Sequence, residues 1–317
     1  MKRLIPIAVL ILSISLSSSA WAGQQYSVTG MVLKVDRTHS ALVVSCQSIP
    51  GFMDAMTMPF DVRQAKELDG LAPGMVVDFT LVVEHDTSYT EQVHVRPYES
   101  VEQDPLTARR LKLLNQLSNP ASLSSKPLAV GQSVPDFTLT DQSHKRITLS
   151  RYAGKVVALN FIYTSCALPN FCYRISNNFG VLQRRFKEQL GRDLVLLTVT
   201  FDPQRDQPEK LAHYADTWKA DPATWHFLTG PVPDVQRVTN MFGMDFFPDE
   251  GLMDHSLHTA VIDRHGKLVA NIEGNQFTPD QLADLVQTVL SQPSNGKHGS
   301  QVRVALNATS RASSSER

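Results

Sequence analysis

Between residues 26 and 95, hydrophobic and polar positions alternate in five short runs, at 26–35, 41–46, 56–62, 75–83 and 89–95. Alternation of period two, rich in β-branched residues, predicts strands with one buried face. Asp36-Arg37-Thr38, Pro50-Gly51 and Pro73-Gly74 supply turn chemistry between the runs. From about residue 130 the pattern changes. Near-continuous apolar runs at 155–163 and 194–201 read as strands buried on both faces, and 171–190 and 208–219 as helices. Runs at 258–263 and 267–272 flank His265-Gly266 as a hairpin, and 278–290 closes the pattern as a helix with Thr278 at its N-cap.

The predicted class is therefore mixed. A small all-β barrel of the OB type precedes an α/β domain whose β-α-β-α-β-β-α order is that of a thioredoxin-like fold. Residues 97–129 lack alternation and hold one helical stretch at 105–117 before Asn119-Pro120, which reads as a flexible linker carrying an amphipathic helix. The first residues pair Lys2 and Arg3 with an apolar run at 4–16 and end in Ala20-Trp21-Ala22. That is the form of a secretory signal cleaved after Ala22, because the run is shorter than the roughly 20 residues a bilayer span needs. The organisation is signal 1–22, barrel 23–96, linker 97–129, α/β domain 130–292 and a Ser-rich disordered tail at 293–317. The sequon at Asn307 falls in that tail and reads as a chance match.

Composition removes several classes of function. With 42% hydrophobic and 19% charged residues the chain is globular, and 30 Lys+Arg against 31 Asp+Glu leaves no basic excess for nucleic acid. No segment after the signal is apolar enough to span a membrane, so the mature form has no membrane span. Three cysteines are too few for a disulfide scaffold.

Each cysteine is then a candidate for chemistry. Cys166 and Cys172 stand where an apolar strand gives way to a helix. A thiol at a helix N-terminus is expected to have a lowered pKa, and the thiolate is both nucleophile and soft metal ligand. A static disulfide and a pair of buried thiols are the alternatives. Cys46 precedes Met53, Met56 and Met58. Met56 and Met58 alternate on one strand and so face the same way; thioethers select Cu(I) or Ag(I), although core packing explains methionines equally well.

Four motifs in order carry a resemblance. Val134-Pro-Asp-Phe-Thr-Leu, Tyr163-Thr-Ser-Cys166 with Cys172, Asp202-Pro-Gln-Arg-Asp206, and Asp254-His255-Ser256 make residues 130–292 similar to the Sco/SenC family of thioredoxin-fold copper proteins. The resemblance implies one copper, Cu(I) or Cu(II), held by Cys166, Cys172 and His255. The family pattern is C-x-x-x-C; here five residues separate the cysteines, so affinity and potential do not carry over. Asp202 and Arg205 read as a salt bridge shaping the same mouth, and His258 as structural. Residues 26–95 resemble the CusF-type periplasmic copper barrel, with Cys46 at the family's histidine position, Met56 and Met58 on its M-T-M strand, and Met53 near its capping tryptophan. Together the resemblances imply a periplasmic metallochaperone whose client is a respiratory copper enzyme such as cytochrome c oxidase. Two alternatives stay open. One is a thiol-disulfide oxidoreductase using Cys166 and Cys172 as its redox pair with a periplasmic thiol reductant; the other is a copper buffering or resistance protein. Metal delivery needs His255, whereas disulfide exchange does not.

Overall fold

The computed structural model describes residues 23–85, 87–96, 105–123, 125–166 and 168–293. The expected signal and the tail with its sequon lie outside these residues. Five antiparallel strands, β1 (Gln24–Asp36), β2 (Ala41–Cys46), β3 (Met56–Asp61), β4 (Val76–Glu84) and β5 (Thr87–Val95), pair in the order β3-β2-β1-β4-β5. The sheet closes where Val62 bridges Thr90 in parallel and the Arg63 N–H donates to the Thr90 carbonyl at 2.9 Å. This is the partly open five-stranded barrel that the alternation predicts, with Val28, Leu42, Val44, Phe60 and Phe79 filling its interior.

The α/β body is built on β8 (Val156–Ile162) and β9 (Leu194–Thr200), every residue of which is buried. They are parallel and connected through α2 (Arg174–Arg185). On the other side of β8 lie β13 (His258–Ile262) and β14 (Leu268–Glu273), antiparallel, followed by α5 (Pro279–Leu290), which packs against α2. The order β9-β8-β13-β14 is the thioredoxin-like core. Thr278 closes a full capping box with Gln281 at the start of α5.

Several elements were not foreseen. β6 (Thr138–Asp141), β7 (Arg146–Thr148) and β10 (Trp225–Thr229) extend the sheet to seven strands. These are three to five residues long, too short to establish a period. α3 (Pro208–Thr217) was anticipated, but α4 (Val232–Met241) begins amid Pro231-Val232-Pro233, which imitates a turn although proline suits the first helical positions. A separate two-stranded hairpin, β11 (Phe246–Asp249) with β12 (Leu252–His255), projects beside the main sheet.

The largest departure concerns the linker. Helix α1 (Pro105–Ser118) packs against β11 with Leu111 and Asn115 buried. Asn115 Nδ2 donates to Asp245 Oδ1 at 2.7 Å, Asn119 Nδ2 to Asn240 Oδ1 at 3.0 Å, and the Leu128 N–H to the Met241 carbonyl at 2.8 Å. The barrel is docked as well. Met31 and Leu33, on the outer face of β1, are buried in the core of the α/β body. Gly74 lies in the left-handed region at φ +90°, where a Cβ would come within 2.8 Å of Ile272 Cγ1 and 2.9 Å of Ala270 Cβ. The polar, proline-containing composition that suggested a tether says nothing about docking, which depends on single asparagines and two outward apolar side chains. No helix among the described residues is long and apolar enough to cross a membrane.

Candidate metal centre

Three separate stretches of chain converge on one point. Strand β8 ends at Ile162, and just beyond it the Cys166 N–H folds back onto the Tyr163 carbonyl at 3.3 Å. A wide turn at Pro169–Tyr173 then carries Cys172 inward before α2 begins at Arg174; Phe171 in this turn has non-helical dihedrals (φ −110°, ψ −113°). The β11–β12 hairpin supplies His255. The ligand atoms of Cys166, Cys172 and His255 all lie within 4.8 Å of one another. His255 Nδ1 sits 3.0 Å from the Ser256 carbonyl, which can only accept. That bond fixes the ring and leaves Nε2 as the nitrogen available to the sulfurs or a metal. Tyr163, Phe171 and Phe201 surround the imidazole with ring centroids 5.6, 6.0 and 4.9 Å away, so the site is walled by aromatics on the protein side.

The two thiols are electrostatically unequal. Cys166 is half-buried, and its pKa falls to about 4 because the Cys172 side chain hydrogen-bonds its thiolate, with further bonds from His255 and backbone groups outweighing desolvation. Cys172 is 1% exposed, and its thiol is pushed well up, first by burial and then by the neighbouring Cys166. This corrects the expected cause of activation. The cysteine just before α2 is Cys172, and burial raises it; Cys166, eight residues upstream of the helix, owes its ionisation to neighbouring donors.

A residue given no role in the sequence reading anchors this loop. Asp206 is fully buried and accepts from the Thr164 N–H at 3.0 Å, the Thr164 hydroxyl at 2.5 Å and the Thr200 hydroxyl at 2.6 Å, with Lys210 Nζ at 3.3 Å. It holds the backbone two residues before Cys166. Its place in Asp202-Pro-Gln-Arg-Asp206, at the end of a buried strand, is the sequence signal for this role. Arg205 pairs with Asp202 and also donates to the Gly251 carbonyl at 2.6 Å, bracing the turn of the His255 hairpin. His258 is buried with Nδ1 3.2 Å from Asn271 Oδ1.

The nominated barrel residues are arranged differently. In the β2–β3 register Cys46 is directly opposite Met56, and Val44 opposite Met58. Cys46, Met56, Met58 and the interior residue Phe60 thus share one face. Met53 lies in the turn before β3, its backbone bridged to Ile49, and packs with Met58 against the barrel core. Cys46 is 2% exposed and burial pushes its thiol up to about 12, whereas Met56 is 52% exposed. Cys46 and Met56 line a cavity of about 680 Å³ whose opposite wall includes Arg185, Thr278, Gln281 and Asp284 of the α/β body.

With fold and site described, the class is that of a thioredoxin-like body presenting two cysteines and a histidine, docked to an OB barrel. The SCO1/SenC family model matches residues 126–291, and the chain belongs to that family. Residues 25–95 match the model of the copper binding periplasmic protein CusF. Among curated relatives, the SCO1 protein homolog of Bacillus subtilis is 29% identical over 153 residues, covering 46% of this chain and 76% of the relative. A SCO2-like protein of Rickettsia typhi is 28% identical over 142 residues, covering 42% and 66%. A crystal structure of Arabidopsis thaliana ScoI with copper bound is 25% identical, with a TM-score of 0.44, covering 51% of this chain and 98% of the other.

Proposed function

We propose that this chain is an exported copper metallochaperone that takes Cu(I) or Cu(II) between Cys166, Cys172 and His255 and passes it to a respiratory copper enzyme such as cytochrome c oxidase. The observation that carries the reading is the convergence of two thiols and an imidazole within 4.8 Å, one thiol already ionised. Two sulfurs and one nitrogen form a soft, low-coordinate set that suits Cu(I). The imidazole extends its reach to Cu(II), and three protein donors are fewer than a closed four-coordinate site uses, which suits an ion that is to be handed on. The half-exposed Cys166 is where an incoming ligand would first displace the ion. In this reading the barrel is a second copper site built on Cys46, Met56 and Met58, with Met53 at its edge. The chain reaches the periplasm through a signal cleaved after Ala22.

The test is titration of the reduced full chain with Cu(I) and Cu(II), with affinity set by a competing chelator. Cys166→Ser/Cys172→Ser is expected to remove one Cu(I) equivalent, and His255→Ala to weaken Cu(II) more than Cu(I). An unchanged stoichiometry in the double-serine variant would sink the reading.

One observation supports a second activity at the same site. An ionised, accessible Cys166 beside a protonated, buried Cys172 is the arrangement of an attacking thiolate and a resolving thiol. Cys166 would attack a client disulfide and release one client thiolate. Cys172, losing its proton, would then attack the mixed disulfide, leaving the client dithiol reduced and a Cys166–Cys172 disulfide. A periplasmic dithiol would restore the pair. His255 also bonds the Cys166 thiolate, so His255→Ala should slow exchange somewhat; exchange retained beside lost Cu(II) affinity would separate the two activities, and abolition of both would reject the oxidoreductase reading as independent of the metal site.

A further inference from the structure

One short connection, together with the first turns of α5, reaches the segments that carry Cys172, His255 and Cys46. Between β14 and α5, the Gly274 N–H donates to the Leu257 carbonyl at 2.8 Å, two residues beyond His255. Asn275 Nδ2 donates to the Asn170 carbonyl, and Arg174 Nη2 to the Phe277 carbonyl at 3.3 Å; Asn170 and Arg174 bracket Cys172. Six residues after Asn275, Gln281 uses both ends of its amide. Its Oε1 accepts from the Thr278 N–H at 2.9 Å, closing the helix cap, and its Nε2 donates to the Ser45 carbonyl at 3.1 Å. Ser45 precedes Cys46. Ser45 and its cross-strand partner Thr57 both donate to Asp284, at 2.8 and 3.0 Å, and the next register pair along is Cys46 with Met56.

We infer that Asn275 and Gln281 are positioning residues at the two ends of one connection, and that they couple the barrel's metal to the Cys166/Cys172/His255 site so that filling the first tightens the second. The inference rests on the reading of both sites as copper sites. A metal gripped by Cys46 and Met56 fixes the adjoining Ser45–Thr57 pair. That pair is bonded to the first turns of α5, and the cap made by Gln281 transmits the constraint to Thr278 and back to Asn275. Asn275 holds Asn170, the fourth of the five residues between the cysteines and two before Cys172. Ordering a loop costs backbone entropy, so a loop ordered beforehand binds its metal more tightly. No change of shape is required, and the effect must be reciprocal.

Hydrogen exchange on the full chain separates the outcomes. In Cys166→Ser/Cys172→Ser, of the two proposed sites the barrel alone keeps its sulfur ligands for one equivalent of Ag(I). Exchange is expected to slow by at least about fivefold, the low end of typical coupling, in the barrel, in 274–281 and in 168–174. With Asn275→Ala added, the slowing at 168–174 should vanish while that in the barrel and around Gln281 remains. A merely structural Asn275 would instead change exchange at 168–174 equally with and without silver, which would overturn the proposal. Slowing confined to the barrel would do the same while leaving both copper readings intact, whereas failure to bind silver would overturn the barrel reading and the coupling together. In chains with all three cysteines, Met56→Leu/Met58→Leu is expected to weaken Cu(I) at the thiol site by at least about fivefold, and to have no such effect beside Asn275→Ala. Equal weakening in both backgrounds would count against transmission through Asn275.

Discussion

The two sulfur sites of this chain differ in how they are assembled. At the thiol site, ligands from a strand end, a wide turn and a hairpin meet from positions up to 89 residues apart. At the barrel site, Cys46 and Met56 come from one pair of neighbouring strands and are opposed by register alone. Burial is severe for Cys46 and Cys172 alike, and both thiols are raised. Cys166 escapes because donors face it, and its thiol falls to about 4. Position near a metal is thus not what ionises a thiol here; hydrogen bonds to its thiolate do so, and desolvation opposes them. Under the proposed reading, a copper ion arriving at Cys46 would have a proton to displace, whereas at Cys166 it would meet a thiolate already formed.

Selective alkylation tests this contrast most strongly. At pH 6 in the metal-free, reduced protein, Cys166 is expected to react with iodoacetamide more than about 100-fold faster than Cys46, even allowing for the lower nucleophilicity of a low-pKa thiolate. Because its pKa is depressed, the Cys166 rate should stay level from pH 8 downwards and fall only as pH approaches about 4. An ordinary thiol would lose about tenfold per unit across that range. A tenfold-per-unit slope for Cys166, read by mass spectrometry of labelled peptides, would erase the difference between the sites. A smaller effect is expected from Asp206→Asn. Weakening the hold on Thr164 should lower Cu(I) affinity at the thiol site by about 10–100-fold, as for other groups that orient ligands. The smallest concerns the barrel's stability. Met56→Leu/Met58→Leu should cost less than about 1.5 kcal/mol in denaturant titration, since the swap nearly conserves volume. Its silver binding should nevertheless fall; full retention would return these methionines to core packing.

Long apolar or alternating segments were legible, and so were the motifs on them. The five barrel strands, β8, β9 and the Thr278 cap follow from periodicity and capping chemistry alone. The convergence of Cys166, Cys172 and His255 entered through family resemblance, because no local rule brings residue 255 to residue 166. What stayed hidden was set by tertiary context. Strand β10 is five residues long and buried throughout, so it carries no period. Helix α1 read as part of a tether because one buried asparagine, Asn115, decides its docking by reaching Asp245. Met31-Val32-Leu33 interrupts the alternation of β1, and such a run marks a strand covered on both sides.

That run also decides how the molecule comes apart. Chains of two domains commonly melt in two stages, each part losing its own core at its own temperature. Here Met31 and Leu33 leave the barrel to complete the interior of the other body, and Gly74 admits Ala270 and Ile272 where any side chain would stand between them. A core shared across the boundary cannot be surrendered by one partner alone. Calorimetry on the metal-free chain should therefore record one heat-absorption peak, its calorimetric and van't Hoff enthalpies equal. Leu33→Ser, which removes part of that shared interior, should split the peak in two. For the cell the consequence is one of quality control. A lesion that unfolds either half would expose both to proteases, so a chain damaged in one half would be cleared whole rather than persist.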